Sequence, residues 1–271
     1  MPLAEAQGAR LYYEVRGEGE PLLLIPGFGS TIPVYWANIP ELSRHFRVIA
    51  FDPRGSGRSD VPLDGYTMRV FADDATAVLD AAGAATAHVF GTSFGGMVAQ
   101  HLALEHPRRV RRLVLGCTTP GGPRHVLPPL ENVTRFLAAG DIADAAEAVR
   151  STYFMHYSDA YAAAHDAEIV ERSLANASLR ATPEGRAGQL AAVQGHDTYE
   201  RLREIAHPTL VVHGGEDGMV PVDNGRLLAE AIPGARLIVY PEGRHIFFAE
   251  CAEQLNADIA AFLQDGFAAA K

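Results

Sequence analysis

Short apolar runs alternate with amphipathic stretches along most of the chain. Residues 9–15 alternate between apolar and polar side chains, as expected of a strand with one buried face. Continuous apolar runs with the length of fully buried strands follow at 21–27, 47–52, 87–91, 112–117, 209–214 and 235–240. Helical patterns separate the runs at 66–82, 95–106, 223–232 and 249–264. This alternation predicts an α/β fold with a mostly parallel sheet.

The alternation stops between about residues 120 and 206. A segment rich in Pro and Gly, "TTPGGPRHVLPP" (118–129), follows the apolar run at 112–117. The sequence beyond it is rich in Ala and has helical spacing without a strand-like run. One crossover connection of this length would be unusual. We therefore predict a core made of residues 1–120 and 207–271, with a helical lid over residues 121–206.

Composition limits the classes of partner. The chain has 271 residues, 48% of them hydrophobic, and its 33 acidic and 23 basic residues give a formal net charge of −10. Nucleic acids and anionic membranes require a basic binding face, so neither is an expected partner. The first residues lack a basic and apolar leader, and no apolar stretch approaches the roughly 20 residues of a spanning helix. We expect a cytoplasmic protein that acts on a small molecule.

The cysteines, histidines and paired aspartates are expected to be structural. Cys117 lies in an apolar run and is predicted to be a small core residue, and with Cys251 alone it cannot form a disulfide framework. No histidine pair has the spacing of a zinc-binding helix. Asp73 and Asp74 fall in a helical pattern and are expected to be solvated. Four histidines of the predicted lid are expected at surface or core positions: His125, His156, His165 and His196.

One stretch carries a candidate nucleophile. "HVFGTSFGG" (88–96) places Ser93 between Gly91 and Gly95, after an apolar run and before a helical pattern. G-x-S-x-G between a strand and a helix is typical of a nucleophile on a sharp, strained turn. Small residues on both sides keep such a turn free of clashes, and the helix N-terminus favours negative charge. The pattern predicts an activated serine at the carboxyl edge of the sheet.

Together with this motif, four further segments resemble the α/β-hydrolase fold superfamily, and the likeness extends over essentially the full chain. The five segments, in the family's order, are 26–29 (PGFG), 51–60 (FDPRGSGRSD), 91–96 (GTSFGG), 213–221 (HGGEDGMVP) and 243–245 (GRH). Within the superfamily the chain looks like the serine-nucleophile branch of esterases and lactonases that includes 3-oxoadipate enol-lactonases. The resemblance implies a mostly parallel sheet flanked by helices, a helical lid inserted after the sixth strand, and no metal or organic cofactor.

The resemblance also implies a catalytic triad. Serine is a poor nucleophile without a base, and the family's order of Ser, acid and His gives Asp217 and His245 as partners of Ser93. Glu216 is the alternative acid, but Asp217 fits the family's G-x-x-D-x-x-V-P form. No other histidine follows Asp217 in the chain.

An oxyanion hole and an acyl pocket complete the implied site. The expected donors are the backbone N–H groups of Phe94, which follows the nucleophile, and of Phe28. The family usually has His-Gly where this chain has Pro26-Gly27, a departure that keeps the backbone donor and removes an imidazole. Candidates for the acyl pocket, which could equally belong to the core, are Trp36, Phe154, Met155 and Tyr157, with Val220 as a further candidate.

The expected activity is hydrolysis of a small carboxylic ester or lactone through an acyl-enzyme on Ser93. The same fold and triad also support C–C bond hydrolysis of ring-cleavage products, cofactor-free haloperoxidase or perhydrolase chemistry, a lyase, or a receptor without catalysis. An intact motif weighs against a receptor, and Ser at position 93 weighs against dehalogenases and epoxide hydrolases, which have Asp there. An anionic substrate would require a cation, for which Arg124, Arg135 and Arg180 are available.

Overall fold

A central sheet organises the residues that the computed structural model describes, 2–265. Within them the eight strands are β1 (Leu3–Ala6), β2 (Ala9–Arg16), β3 (Glu20–Ile25), β4 (Phe46–Phe51), β5 (Ala87–Thr92), β6 (Val110–Gly116), β7 (Thr209–Gly214) and β8 (Arg236–Tyr240). Their order is β1-β2-β4-β3-β5-β6-β7-β8. The pairs β1–β2 and β2–β4 are antiparallel, and all other pairs are parallel. The predicted mostly parallel sheet is confirmed; β1, with only four residues, was not predicted because it is too short to show a period.

Eleven α-helices occur in the described part of the chain. They are α1 (Ile39–Leu42), α2 (Met68–Ala81), α3 (Phe94–Glu105), α4 (Leu130–Ala138), α5 (Ala145–Arg150), α6 (Tyr153–His156), α7 (Asp159–Ala175), α8 (Pro183–Gln194), α9 (Asp223–Ala231), α10 (Phe247–Glu250) and α11 (Ala252–Asp265). Short 3₁₀ helices cover Ile32–Tyr35, Pro107–Arg109, Gly122–Arg124, Ala139–Asp141, Ala177–Leu179 and Tyr199–Glu204. None of the described helices is both long and apolar enough to cross a lipid bilayer.

Two hydrophobic cores lie on opposite faces of the sheet. Because successive side chains of a strand point to opposite faces, Leu23 of β3 belongs to one core and Leu24 to the other. Helices α2, α3 and α9 cover the first core, and α1, α10 and α11 cover the second. Cys117, directly after β6, lies fully buried in the second core, as predicted. Coverage on both faces explains why the central strands are continuous apolar runs.

At the centre of the sheet, the side on which the next strand is added changes. β3 lies between β4 and β5, so the connection after β3 and the connection after β5 leave the carboxyl edge towards opposite sides. Such a switch point opens a crevice at this edge in α/β sheets. Residues 26–31 follow β3, and Ser93 directly follows β5, so the crevice lies between these two segments.

Helices α4 to α8 all lie between β6 and β7, in the stretch that the sequence assigns to a lid. The two ends of this stretch run side by side, since Gly121 and Asp197 form an isolated antiparallel bridge. The N–H of Thr198 donates to the Pro120 carbonyl at 2.9 Å, and the N–H of Gly122 donates to the His196 carbonyl at 3.1 Å. The chain therefore leaves the sheet region before helices α4 to α8 and returns to it after them at the same place.

Asp74 corrects the expectation of a solvated position. It is fully buried in helix α2, and its carboxylate makes a two-pronged ion pair with Arg54, whose guanidinium is 1% exposed. Two further N–H groups of Arg54 donate to the carbonyls of Gly65 and Gln7. A helical pattern identifies the face of Asp74 but not a cation twenty residues upstream. Asp73 is partly exposed and accepts a hydrogen bond from His106.

We expect Asp74→Asn to destabilise the protein by about 3–5 kcal/mol, because it leaves the buried Arg54 charge without its partner. The matched control is Asp80→Asn on the same helix, where the carboxylate that pairs with Arg109 is exposed and the pair is worth about 0–1 kcal/mol. Urea unfolding of both variants and of the wild type gives the loss of unfolding free energy in each variant. Equal losses of unfolding free energy in the two variants would contradict the buried position of the Arg54–Asp74 ion pair.

Candidate active site

Ser93 occupies a strained turn between β5 and α3. Its backbone angles are φ 54° and ψ −119°, outside the regions that L-residues usually adopt. The turn approaches its neighbours so closely that a side chain at Gly91 would overlap the Gly95 carbonyl, and one at Gly95 would overlap the Ile25 carbonyl. The two glycines of the motif are therefore required by space. The turn places the Ser93 hydroxyl at the carboxyl edge of the sheet, at the start of α3.

His245 and Asp217 lie in line with the serine. The Ser93 Oγ is 3.0 Å from His245 Nε2, and His245 Nδ1 is 2.8 Å from Asp217 Oδ2. His245 and Asp217 are both buried, while Glu216, the alternative acid, is exposed and lies 3.7 Å from the Arg244 guanidinium. The structure thus brings together Ser93, His245 and Asp217, and leaves Glu216 outside. Each of the three follows a strand: β5, β8 and β7 respectively.

The surroundings of Asp217 favour its ionised form. Its Oδ1 accepts the N–H groups of Met219 (2.9 Å) and Val220 (2.8 Å). Burial alone would raise the pKa of the Asp217 carboxyl, but the charge of His245 and the hydrogen bonds from His213 and His245 outweigh it and hold that pKa well below its usual range. A carboxylate fixed in this way can orient the His245 ring and stabilise its protonated form.

His213 supports the Asp217 loop and was not singled out from the sequence. It is completely buried at the end of β7, and its Nε2 lies 2.8 Å from the Val220 carbonyl and 3.5 Å from Asp217 Oδ2. With its proton on Nε2, the ring donates to Val220 and closes the loop from 214 to 220. The segment "HGGED" contained the signal, but its spacing does not distinguish this role from that of a core histidine.

The proposed oxyanion donors lie on both sides of Ser93. Gly27 approaches within 3.5 Å of the Ser93 Cβ, measured from the position its own Cβ would take, so residues 26–29 pass beside the nucleophile. Phe94 begins α3, and its ring packs edge-on against Phe28, with centroids 6.5 Å apart. Among the described residues, the N–H groups of Phe28 and Phe94 have no hydrogen-bond partner. Both are free to donate to a ligand oxygen.

The candidates for the acyl pocket fall into two groups. Met155 and Val220 adjoin the site, since the Met155 carbonyl accepts the His245 N–H at 3.1 Å and the Val220 N–H bonds to Asp217. The other three pack among residues of the 121–206 segment: Trp36 under Arg172 with 3.8 Å to its ring centroid, Phe154 under Arg135 at the same distance, and Tyr157 against Tyr153 and Tyr161. Trp36 also lines a surface cleft of about 430 Å³ with Glu14 and Arg58.

The loop of His245 is bound along its length to the segment 155–159. Beside the Met155 contact, the Ile246 N–H donates to the His156 carbonyl at 2.9 Å. Arg244 donates to the Tyr157 carbonyl at 2.8 Å and to the Asp159 carboxylate at 2.9 Å. These contacts hold the histidine loop against residues 155–159. The motif "GRH" contains Arg244, yet nothing in the sequence indicates its partners.

The arginines that could pair with an anionic substrate differ in their contacts. Arg124 stacks over Tyr199 and Arg135 over Phe154, so neither cation is aimed at Ser93. Arg180 bonds to Ser173, and its charge is close enough to lower the pKa of His156. Arg186, which the sequence did not single out, lies over the Phe28 ring, with 5.7 Å to the centroid. Of these arginines, Arg186 contacts a residue of the proposed oxyanion hole, the Phe28 ring.

The four histidines of the 121–206 segment occupy different surroundings. His165 stacks on Tyr161 and pairs with Glu168 at the surface. His156 packs edge-on against Phe136, and burial, with the charge of His245, lowers its pKa to about 3. His196 lines a cleft of about 530 Å³ together with His125. His196 is also buried against helix α3, where its Nδ1 is 3.2 Å from His101 Nε2.

The His101–His196 pair predicts a loss of stability in mild acid. Burial lowers the pKa of each ring to about 4, below the ordinary value near 6.5. The unfolded chain therefore binds more protons between pH 6.5 and about 4, and the folded state loses stability as the pH falls through that window. The free energy of unfolding, measured in urea, should be lower at pH 5 than at pH 7 by on the order of 1–2 kcal/mol per ring.

Two substitutions test the assignment of this pH effect. His101→Gln removes one of the two titrating rings, and it should reduce the difference between the unfolding free energies at pH 7 and pH 5. His45→Gln, at a partly exposed histidine 3.8 Å from Glu41, should leave that difference unchanged. An unfolding free energy that is the same at both pH values in the wild type would contradict the buried, neutral pair.

Comparison with known families gives the class of this protein. The family model described as the alpha/beta hydrolase fold matches residues 20–251. The chain therefore belongs to the α/β-hydrolase family, and the predicted fold class is confirmed.

Two relatives match nearly the whole chain. A protein of Azorhizobium caulinodans, whose name gives it as a carbamate hydrolase, RutD, is 32% identical over 265 residues, covering 97% of this chain and 98% of its own. The 2-hydroxymuconate semialdehyde hydrolase of Pseudomonas sp. strain CF600 is 33% identical, covering 98% and 94%. Both names describe hydrolases. The family and these relatives support hydrolysis as the class of reaction.

A solved structure is similar over the same extent. The crystal structure of the enol-lactonase from Burkholderia xenovorans LB400 matches with a TM-score of 0.84 and 26% identity, covering 97% of this chain and 100% of that one. The resemblance to enol-lactonases noted from the sequence is thus confirmed at the level of structure.

Proposed function

We propose that the protein is a serine hydrolase of a small carboxylic ester or lactone. The observation that carries the proposal is the continuous line from Ser93 Oγ to His245 Nε2 (3.0 Å) and from His245 Nδ1 to Asp217 Oδ2 (2.8 Å). Hydrogen bonds of this length allow a proton to move from the serine to the imidazole as the serine attacks a carbonyl carbon. Asp217 holds the ring with its proton on Nδ1, so that Nε2 is free to accept.

The first half of the reaction forms an acyl-enzyme. Ser93 Oγ bonds to the carbonyl carbon while its proton passes to His245 Nε2. The carbonyl oxygen becomes an oxyanion, for which the N–H groups of Phe28 and Phe94 are the proposed donors. When the tetrahedral intermediate collapses, the bond to the alkoxy oxygen breaks, and His245 returns the proton to that oxygen. An ester releases an alcohol at this step, whereas a lactone opens and keeps its hydroxyl on the acyl chain.

The second half regenerates the serine. Water takes the place of the alcohol beside His245, gives up a proton to Nε2 and attacks the acyl carbon. A second oxyanion forms against the same two N–H groups. Its collapse breaks the bond to Ser93 Oγ, which recovers the proton from His245, and the carboxylic acid leaves. The cycle uses side chains and backbone groups of this chain and water.

We propose that residues 121–206 act as the lid over this site. Their helices are joined to the histidine loop by the 155–159 contacts, and Met155 and Val220 are the proposed walls of the acyl pocket beside the triad. A cover of this kind would exclude bulk water and strengthen the hydrogen bonds to the oxyanion. Trp36, Phe154 and Tyr157 would then support the lid through ring packing and would have no direct contact with the acyl group.

Hydrolysis of a C–C bond in a ring-cleavage product is the second candidate. It is favoured by one observation, the 33% identity over nearly the full chain to a 2-hydroxymuconate semialdehyde hydrolase. The relative named as a carbamate hydrolase makes an acyl–nitrogen bond a third possible target of the same nucleophile. All three reactions require attack at a carbonyl carbon, so the groups flanking that carbon, and the lid residues that contact them, decide between the substrates.

A substrate panel distinguishes these activities. We expect turnover of short-chain p-nitrophenyl esters and of simple five- and six-membered lactones, with slower or undetectable turnover of a carbamate and of a 2-hydroxy-6-oxo-dienoate. A preference for the dienoate by more than about tenfold in kcat/KM, which is more than 1.4 kcal/mol of transition-state binding, would replace the ester proposal with C–C hydrolysis. Turnover of none of the four classes by folded protein would contradict the proposed function.

A further inference from the structure

Gln189 joins helix α8 to two loops of the core. Its side chain is completely buried, although it lies on a helix of the 121–206 segment. Its Oε1 accepts the N–H of Gly29 at 2.8 Å. Its Nε2 donates to the Arg54 carbonyl at 3.1 Å and to Ser56 Oγ at 2.9 Å. One amide therefore binds the loop after β3 and the loop after β4 at the same time.

Helix α8 can bring Gln189 this deep because small residues share its face. A side chain at Gly185 would overlap the backbone of Gly55, and one at Gly188 would overlap the ring of Tyr66. Two backbone hydrogen bonds just before the helix continue the contact: the Ala181 N–H donates to the Gly29 carbonyl, and the Thr182 N–H donates to the Gly55 carbonyl, both at 3.1 Å. The start of α8 is thus fixed to the core.

Gly29 directly follows Phe28, whose N–H is a proposed oxyanion donor. The Gly27 carbonyl accepts the Ser30 N–H at 3.1 Å, which closes a tight turn over residues 27–30. Because a trans peptide is planar, this bond makes the Phe28 N–H point away from the turn. The next peptide plane is held by Gln189 at the Gly29 N–H, and Gly29 has φ +65°, which glycine adopts without the steric cost of a Cβ. Gln189 therefore fixes the peptide plane between Phe28 and Gly29, which adjoins the plane that carries the Phe28 N–H.

We propose that Gln189 is a positioning residue, through which the 121–206 segment sets the geometry of the oxyanion hole. Gln189 acts through Gly29 and does not contact the reacting atoms. The inference rests on the proposed function only in taking the Phe28 N–H as an oxyanion donor. It implies that the segment over the active site contributes to transition-state binding through the turn at 27–30, in addition to covering the substrate.

The test compares Gln189→Met with the wild type. Methionine keeps the length of the side chain and removes its acceptor and both donors, so the Gly29 N–H loses its partner. A misaimed oxyanion donor weakens binding of the transition state more than binding of the substrate. We expect kcat for the best ester of the panel to fall about 10- to 100-fold, with KM changed by less than about threefold.

A second readout does not depend on the natural substrate. A fluorophosphonate reacts when Ser93 Oγ bonds to phosphorus, fluoride leaves, and His245 takes the serine proton. Its phosphoryl oxygen occupies the oxyanion hole. The rate of labelling of Ser93 should fall in Gln189→Met by a factor similar to that for kcat. If the wild type hydrolyses no ester but is labelled at Ser93, the ester proposal fails while this rate still tests the role of Gln189.

Two further variants separate positioning from a general loss of structure. Gln194→Met makes the same change at an exposed position of the same helix, and it should keep the wild-type labelling rate. Gln189→Glu keeps an acceptor for the Gly29 N–H, and burial favours its protonated form, whose O–H can donate to the Arg54 carbonyl as the amide does. This variant should recover part of the rate lost in Gln189→Met. A wild-type labelling rate in Gln189→Met would overturn the proposal. A Gln189→Glu rate no higher than that of Gln189→Met, with both proteins folded, would overturn it as well.

Discussion

Replacing Ser93 with alanine is expected to lower kcat for the best substrate by at least about 10⁴-fold, because the proposed mechanism forms its acyl-enzyme on this side chain. The fold should be retained. Alanine meets the same strain as serine at φ 54°, and the Ser93 backbone contacts to Gly116 and Met97 need no side chain. The urea midpoint of Ser93→Ala should therefore lie close to that of the wild type. Any remaining activity would come from substrate binding and the oxyanion hole alone.

The control for Ser93→Ala is Ser43→Ala, at a serine near the surface whose hydroxyl donates to the Pro40 carbonyl. It should keep wild-type kcat and KM. Activity in Ser93→Ala within about tenfold of the wild type, which is less than about 1.4 kcal/mol of transition-state stabilisation, would show that another group is the nucleophile. Such a result would remove the acyl-enzyme on Ser93 from the mechanism and leave the fold assignment unchanged.

Asp217→Asn is expected to reduce kcat by about 10⁴-fold, although the substitution is nearly isosteric. The backbone determines how the new amide lies. Two N–H groups, of Met219 and Val220, point at Oδ1, so the amide oxygen must stay there and the NH₂ must face His245 Nδ1. A donor at that position forces the His245 proton onto Nε2, where it blocks transfer from Ser93.

Glu216→Gln distinguishes the two acidic neighbours of the loop. Its carboxylate is exposed and 3.7 Å from the Arg244 guanidinium, so the pairing is weak, and its neutralisation should change kcat by less than about twofold. Steady-state kinetics of both variants on the same ester give the comparison. A larger loss in Glu216→Gln than in Asp217→Asn would reverse the assignment of the acid.

The sheet could be predicted from the sequence because its central strands are covered on both faces. That coverage turns each strand into an uninterrupted apolar run, as at 87–91 and 209–214, and no surface requirement weakens the pattern. Helices α2, α3 and α9 were predicted to within about two residues from their helical spacing, whereas α1 was not predicted and the single helix predicted at 249–264 is divided into α10 and α11. The strand Leu3–Ala6 could not be predicted, because four residues at the edge of a sheet carry no readable period.

Polar contacts between residues far apart in the chain could not be predicted from the sequence. The burial of Asp74 depends on Arg54, and that of Gln189 depends on Gly29 and Ser56, each supplied by a different loop. Helical periodicity identifies the face on which such a residue lies, but a polar residue on a buried face has no partner until the tertiary structure supplies one. The triad Ser93, Asp217 and His245 is a prediction that rests on the family resemblance, because spacing alone does not choose between Asp217 and Glu216.

Mapping the site of a fluorophosphonate label tests the central claim most directly, because it asks which side chain is the activated nucleophile. Wild-type protein and His245→Ala are exposed to the same reagent, digested, and analysed by mass spectrometry. The account predicts one phosphonyl group per chain, carried by Ser93, and labelling slowed by several orders of magnitude in His245→Ala, which lacks the base. A label on another residue, or equal rates in the two proteins, would contradict a serine nucleophile activated by His245.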